Sequence, residues 1–312
     1  MESRPSSQRK AKVFDDDVTR VSSVAIRPLA TIGIKTRAAV IRAIRNGDDV
    51  GKAIRTALKE GRTPLTQAMT ASFVMGLYRS NLNHGAIAEL SLARKVTDPL
   101  GRWERIVDFA TKRVQLTQPD LAEITRGFDA SAAEAFKSMG GFLESSIRLA
   151  IKKSVEQSES REGTIQAVRT AFDEAGMTNA KPYIIEAQAR TQSQLAYSAG
   201  RLKANEDEAI QDELWGYEYV TVGDDRVRPG HAALDGVRLP KDDPKWKEIM
   251  PPNGWNCRCA FIEVFKDEEI AKTLDVPEFV KVDGTKVRAG ADDGFDFNPL
   301  DIYNSQDAGI AA

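Results

Sequence analysis

The hydrophobic pattern of this chain changes period once, at Leu214, and that change restricts the folds open to it. From about residue 20 to residue 212, apolar residues recur at three- and four-residue intervals, the spacing that lines one face of a helix. Beyond it, WGYEYVTV and CRCAFIEVF alternate and are rich in aromatic and β-branched residues, as half-buried strands are. The fold class that follows is α+β. A mainly helical N-terminal two-thirds precedes a small, loop-rich, β-containing C-terminal module.

Helix start and stop signals divide the first part. Asp48 and Asp49 precede Val50, Ile54, Ala57 and Leu58 on one face, and Gly61 is placed to end that helix in the left-handed conformation. Thr63-Pro64 and Asp98-Pro99 each offer a cap followed by proline at the first helical position, the second leading to Ile106, Phe109 and Val114. Ser131 and Glu134 have capping-box spacing and predict a helix start there, running through Phe136, Leu143, Ile147 and Ile151, with Gly140-Gly141 placed to break or bend it. Residues 161–175 form an amphipathic helix that stops at Gly176. A last helix, roughly 182–213, carries Ile185, Ala189, Gln192, Ala196 and Ala199, a small and polar face that predicts close packing. The first 20 residues read as a flexible arm of mixed charge. The expected organisation is an arm (1–20), a helical region (21–160) and a C-terminal domain (161–312) of helices 161–213 and module 214–312.

Composition narrows the classes. With 41% hydrophobic and 29% charged residues, the chain reads as folded rather than disordered. No apolar run approaches the roughly 18–20 residues that span a bilayer, and the N-terminus has no apolar core, so neither a membrane partner nor a secretory signal is expected. The net charge of −2 hides an asymmetry: residues 214–312 hold 12 Lys/Arg against 19 Asp/Glu, the rest 32 against 27. A mild basic excess permits nucleic-acid contact without requiring it.

The chain has 2 cysteines, Cys257 and Cys259, in the run PPNGWNCRC. One intervening residue is too short for a sensible disulfide between them. On an extended strand they share one face, with Arg258 on the other. Two thiolates on one face supply half of a tetrahedral zinc site. His231 follows the first strand, and Asp224, Asp225 or Asp235 stands in reach to complete a Cys₂-His-Asp set; the other histidine, His84, is far upstream. Two other readings stay open: a reduced, semi-buried pair, or a Cys–His nucleophile with His231 lowering a thiol pKa. Asp224-x-Arg226-x-Arg228 reads as an Asp–Arg network tying down a loop, with phosphate contact through its arginines as the alternative, and Trp215, Trp246 and Trp255 as the core of the small module. Phosphate-loop, nucleophile-elbow, HExxH and dinucleotide signatures are missing, so an enzyme is not expected.

Four segments in order carry a resemblance: EAQARTQSQLAYSAGR (186–201), VTVGDDRVRPGHAALDGVRLP (220–240), PPNGWNCRC (251–259) and DDGFDFNP (292–299). Together they resemble the phage Mu F-like minor head protein family and its related form, the SPP1-type head morphogenesis protein, over about residues 161–299. The resemblance implies a structural protein of tailed-phage heads, inside the capsid and beside the portal, acting in head morphogenesis and in DNA packaging or ejection. It implies portal, scaffold or capsid partners, DNA contacts without sequence preference, a virion location, and host cytoplasm during assembly. The family's marked positions fall on Asp224, Arg226, His231, Asp235, Gly236, Cys257, Arg258 and Cys259, with Arg190 and Thr191 as the Arg-Thr pair. It strengthens the case for a structural zinc ion on Cys257, Cys259, His231 and Asp224. Gln192 departs from the pattern, standing where an acidic residue is expected. The alternative is an enzyme, a nuclease or toxin-like hydrolase, built on His231, Asp224, Cys257 and Cys259.

Overall fold

The computed structural model describes residues 4–83, 116–178, 183–266 and 276–304. Helix α1 (Arg4–Asn46) runs for 43 residues with Pro28 inside it. The expected arm is therefore helix from Arg4 onward: Ala11, Phe14 and Val18 form one stripe, and all three are buried. Helix α2 (Val50–Leu58) is capped by Asp49, whose carboxylate accepts from the Lys52 N–H at 2.6 Å. Gly61 does not end it in the left-handed conformation. A 3₁₀ turn (Lys59–Gly61) leads directly into α3 (Arg62–Asn83), and a Cβ at Gly61 would lie 2.3 Å from the Phe136 ring.

Helix α4 (Gln118–Glu156) corrects the start expected at Ser131. Its capping box is Thr117 with Asp120, and Ser131 is buried inside it. Gly140-Gly141 does not break it, because the buried stripe Ile124, Phe128, Ala132, Phe136, Met139, Leu143 and Ile147 continues past both glycines. The start expected at Asp98-Pro99 and the residue His84 lie outside the described residues. Helix α5 (Arg161–Glu174) is capped by Ser160 and followed by Gly176 at φ +64°, as expected.

The helix expected over 182–213 is two, α6 (Tyr183–Ala204) and α7 (Glu208–Glu213). Asn205 fixes the break: its N–H is shared between the Arg201 and Leu202 carbonyls, and its side chain meets Ser80 and Glu263. Helix α6 is the centre of the molecule, buried at every position from Thr191 to Leu202. Its small face packs on α3 so closely that a Cβ at Gly200 would lie 2.1 Å from the Phe73 carbonyl oxygen, and one at Gly76 2.1 Å from that of Tyr197. Val168, Phe172, Ile185 and Ala196 share one core with residues of α1 to α4, so packing runs across residue 160.

The strands β1 (Leu214–Val220), β2 (Arg238–Pro240) and β3 (Ala260–Phe265) form an antiparallel sheet in the order β2-β1-β3, with Tyr217 opposite Leu239 and Val220 opposite Ala260. The short helices α8 (Pro229–Ala232) and α9 (Trp246–Ile249) lie in the connections. Both faces of the sheet are covered. Ala260 and Ile262 meet Phe14, Val74 and Tyr197, whereas Phe261, Tyr217 and Tyr219 join Trp246 and the two cysteines. Of the three tryptophans expected as core, Trp246 is buried, edge-on to Tyr217, and Trp215 and Trp255 are half-buried. A hairpin of β4 (Phe279–Val282) and β5 (Thr285–Arg288) turns at Asp283-Gly284, both at positive φ, and α10 (Pro299–Asn304) follows.

Candidate metal-binding site

The sheet brings three of the sequence-predicted residues together. Cys257 and Cys259 lie in the extended lead into β3, which pairs with β1, and His231 lies on α8, reached by the loop that leaves β1. The imidazole Nδ1 stands 3.8 Å from Cys257 Sγ and 3.6 Å from Cys259 Sγ. The three ligand atoms all lie within 4.8 Å of one another, and all three residues are buried. The two sulfurs do share one side, with Arg258 turned away to Asp224, although β3 itself begins only at Ala260.

Helix α6 holds the cysteine loop from behind. Thr191 Oγ1 accepts from the Asn256 N–H at 3.0 Å, and Gln194 Nε2 donates to the Cys259 carbonyl at 2.7 Å, so the loop is pinned on both sides of the pair. Asn256 takes φ +56°, a left-handed turn that asparagine tolerates better than most residues. Arg190 reaches the other way, to Asp15 and Thr19 on α1. Further along the helix, Arg201 donates to the Phe261 carbonyl at 2.6 Å and pairs with Glu263, both side chains fully buried.

Electrostatics separates the thiols. Burial raises Cys257, but hydrogen bonds from Cys259, His231 and the Asn253 backbone N–H outweigh it and hold that thiol well below its usual range. Cys259 is pushed well above it, by burial first and then by its partner sulfur. The Tyr219 hydroxyl, beside them, is also driven up by burial. Two soft sulfurs and one imidazole form a donor set for a thiophilic cation, or a nucleophile with its base. Their burial leaves no direct route for a bulky substrate.

Asp224 is not brought to this group. Its two oxygens accept from Arg258 at 2.7 and 2.5 Å, and that contact, before any other, holds its carboxyl down at about 2. Its Oδ1 also accepts from the Arg226 N–H, forming the turn expected after β1; the Arg226 side chain is exposed. Arg228 bonds the Trp255 carbonyl and lies 3.9 Å from Asp292, so the Asp–Arg network exists with Arg258 and Arg228 as its arginines. Asp235 accepts from both the N–H and hydroxyl of Thr221, and Gly236, at φ +85°, donates to the Tyr219 carbonyl. Gln192 is buried, its side-chain oxygen unpartnered among the described residues.

Sequence reasoning missed Gln194, Arg201 and Glu263. The signal was present: long polar side chains on an otherwise small helix face, and one acid inside an apolar strand, each demand a buried partner.

Residues 145–262, from the end of α4 into β3, match the model of the family described as Phage Mu protein F like protein. The tail DDGFDFNP falls outside the match. Among individual proteins, the chain is 40% identical over 70 residues to the Mu-like prophage FluMu F protein of Haemophilus influenzae, covering 22% of this chain and 16% of that protein. It is 45% identical over 64 residues to "Putative capsid assembly protein F" of Escherichia phage Mu, covering 20% and 14%. The matches thus span about a sixth of the length of these curated relatives. No solved structure matches the chain.

Proposed function

We propose that this chain acts in head morphogenesis of a tailed bacteriophage or prophage, as an internal, low-copy component beside the portal. One observation carries the reading: residues 145–262 match the Phage Mu protein F like family model, and side chains of that stretch join elements of the fold. Arg190 ties α6 to α1, Thr191 and Gln194 tie it to the cysteine loop, and Arg201 ties it to β3. Such a joint suits a part that must hold its shape between larger neighbours. The capsid-assembly description of the phage Mu relative supports the same role. The enzyme reading is disfavoured, because Asp224 is bound to Arg258 away from the other three residues, and those three are buried.

In this role the partners are the portal protein and scaffold or capsid proteins, met in the host cytoplasm and retained in the head interior near the portal. DNA contacts are electrostatic and independent of sequence. No helix among the described residues is long and apolar enough to cross a membrane.

The test is removal of the gene from its phage or prophage, with complementation in trans. The expected result is a loss of filled heads, restored by the intact chain, and co-purification of chain and portal from assembling particles. Normal numbers of filled, infectious heads without the chain would overturn the proposal. Its DNA component predicts affinity that falls steeply with salt and ignores base sequence; affinity indifferent to salt would remove that component.

A further inference from the structure

We propose that His231 Nδ1, Cys257 Sγ and Cys259 Sγ bind one thiophilic cation, zinc before others, and that this ion is a structural clip for the C-terminal module. A tetrahedral zinc holds sulfur at ~2.3 Å and imidazole nitrogen at ~2.0–2.1 Å, which sets the two ligand types roughly 3.5 Å apart. The observed separations of 3.8 and 3.6 Å need only a small inward shift. In a metal-free pair, one ring nitrogen faces two sulfurs, and a single proton cannot serve both contacts well. A cation between them satisfies all three.

The surroundings fit a preformed site. The ligands come from two separate connections, 26 residues apart between His231 and Cys257, so an ion there joins the loop after β1 to the lead into β3. Thr191 and Gln194 fix the cysteine loop from α6. Sulfur and imidazole donors select zinc, copper(I) or iron over magnesium and calcium, and a structural role without redox change favours zinc.

No fourth His, Cys, Asp or Glu joins the group among the described residues. Asp224 is held by Arg258, and Asp235 by Thr221. The described His, Cys, Asp and Glu residues thus supply three ligands to the ion. His231 Nε2 is buried with no hydrogen-bond partner among the described residues, so it lacks the acceptor that usually orients a zinc-bound histidine.

The test uses the full chain, purified without chelator or polyhistidine tag. Expected are about one zinc per chain and stoichiometric zinc release as a mercurial reagent modifies two thiols. Replacement by cobalt should give a thiolate-to-cobalt charge-transfer band. His231→Ala should lose more affinity than the roughly 10–100-fold that losing an outer-sphere partner costs, whereas His231→Cys should retain zinc. No metal in the native chain, with both thiols titrating and the melting temperature indifferent to chelator, would overturn the proposal. So would a zinc that survives Cys257→Ser with Cys259→Ser. The thiol-release and cobalt measurements use the native protein, so they decide the matter even where a variant fails to fold. Head assembly is not their readout, and either proposal can fail alone.

Discussion

Phe128 and Cys257 are both buried, but their surroundings are of different kinds. Phe128 sits on α4 among Leu, Ile, Phe and Met side chains contributed by five of the long helices. Cys257 sits in a loop whose order rests on directional contacts: His231 at its sulfur, Thr191 under its neighbour, Gln194 at the next carbonyl. Close by, the fully buried pair Arg201–Glu263 and the nearly buried pair Arg238–Glu218 do work that apolar contact does in the helices. The apolar region has many interchangeable contacts, and the module has a few that are not interchangeable. Long helices can lay continuous stripes against one another, whereas the three short strands supplement the apolar cluster around Tyr217, Trp246 and Phe261 with bonds of fixed geometry.

The sharpest test of that difference is rescue. Phe128→Ala should cost about 3–5 kcal/mol by chemical denaturation, from lost transfer energy and the cavity left behind. Arg201→Leu should cost a similar ~3–5 kcal/mol for another reason, since it strands the Glu263 carboxylate in the interior. Adding Glu263→Leu should restore part of that loss by removing the buried charge, the remainder being the bonds lost by Ser80, Asn205 and the Phe261 carbonyl. No second truncation should rescue Phe128→Ala. A double variant worse than Arg201→Leu alone would erase the distinction.

A smaller effect is expected where the regions meet. Gly200→Ala drives a methyl group against the Phe73 carbonyl, and α3 and α6 must separate to admit it. The expected cost is ~1–3 kcal/mol, typical of overpacking. A neutral result would mean that the helices already sit farther apart in solution.

Acid should act on the module first. Burial raises Glu263, but the Arg201 charge together with hydrogen bonds from the backbone, Asn205 and Arg201 outweighs it and leaves its pKa below the ordinary 4.5. A carboxyl depressed in the folded state contributes fully above its unfolded value, and the contribution is lost as pH falls through the lower, folded one. Stability should therefore decline below about pH 4.5, and Glu263→Gln should flatten that part of the profile. The loss should be milder than Arg201→Leu, since a neutral carboxyl still accepts a hydrogen bond. An unchanged profile in Glu263→Gln would move the acid sensitivity elsewhere.

How far the sequence carried follows from the same contrast. The α+β order, Asp49 as a cap, Gly176 as a stop and the two main strands were legible, because caps, periods and glycines act locally. The Ser131 start was misleading: Ser-x-x-Glu has the right spacing, but the apolar stripe of α4 runs through it from Thr117, and burial along 39 residues outweighs one cap. The break at Asn205 was hidden because it depends on Ser80 and Glu263, distant in sequence. Asp283-Gly284 between alternating residues was readable as a hairpin and was passed over. At the site, His231 with the cysteine pair was legible because strand pairing alone brings them near. The fate of Asp224 was not, since it turns on the direction in which Arg258 leaves the loop.

Asp224 gives the smallest effect and the finest discrimination. It is exposed and bonded by two nitrogens of Arg258, and its carboxyl stays ionised down to about pH 2. Solvent screens such a pair, so Asp224→Asn should change stability by no more than ~1 kcal/mol despite the close geometry. With the proposed zinc clip it should also leave metal content unchanged, because Asp224 lies outside the His231, Cys257 and Cys259 group. If Asp224→Asn kept the fold but lost the metal, the carboxylate would have to leave Arg258 to complete the site. The Arg258 pairing would then be an alternative position for a fourth ligand, and the cysteine loop would be less rigid than its bonds to Thr191 and Gln194 imply.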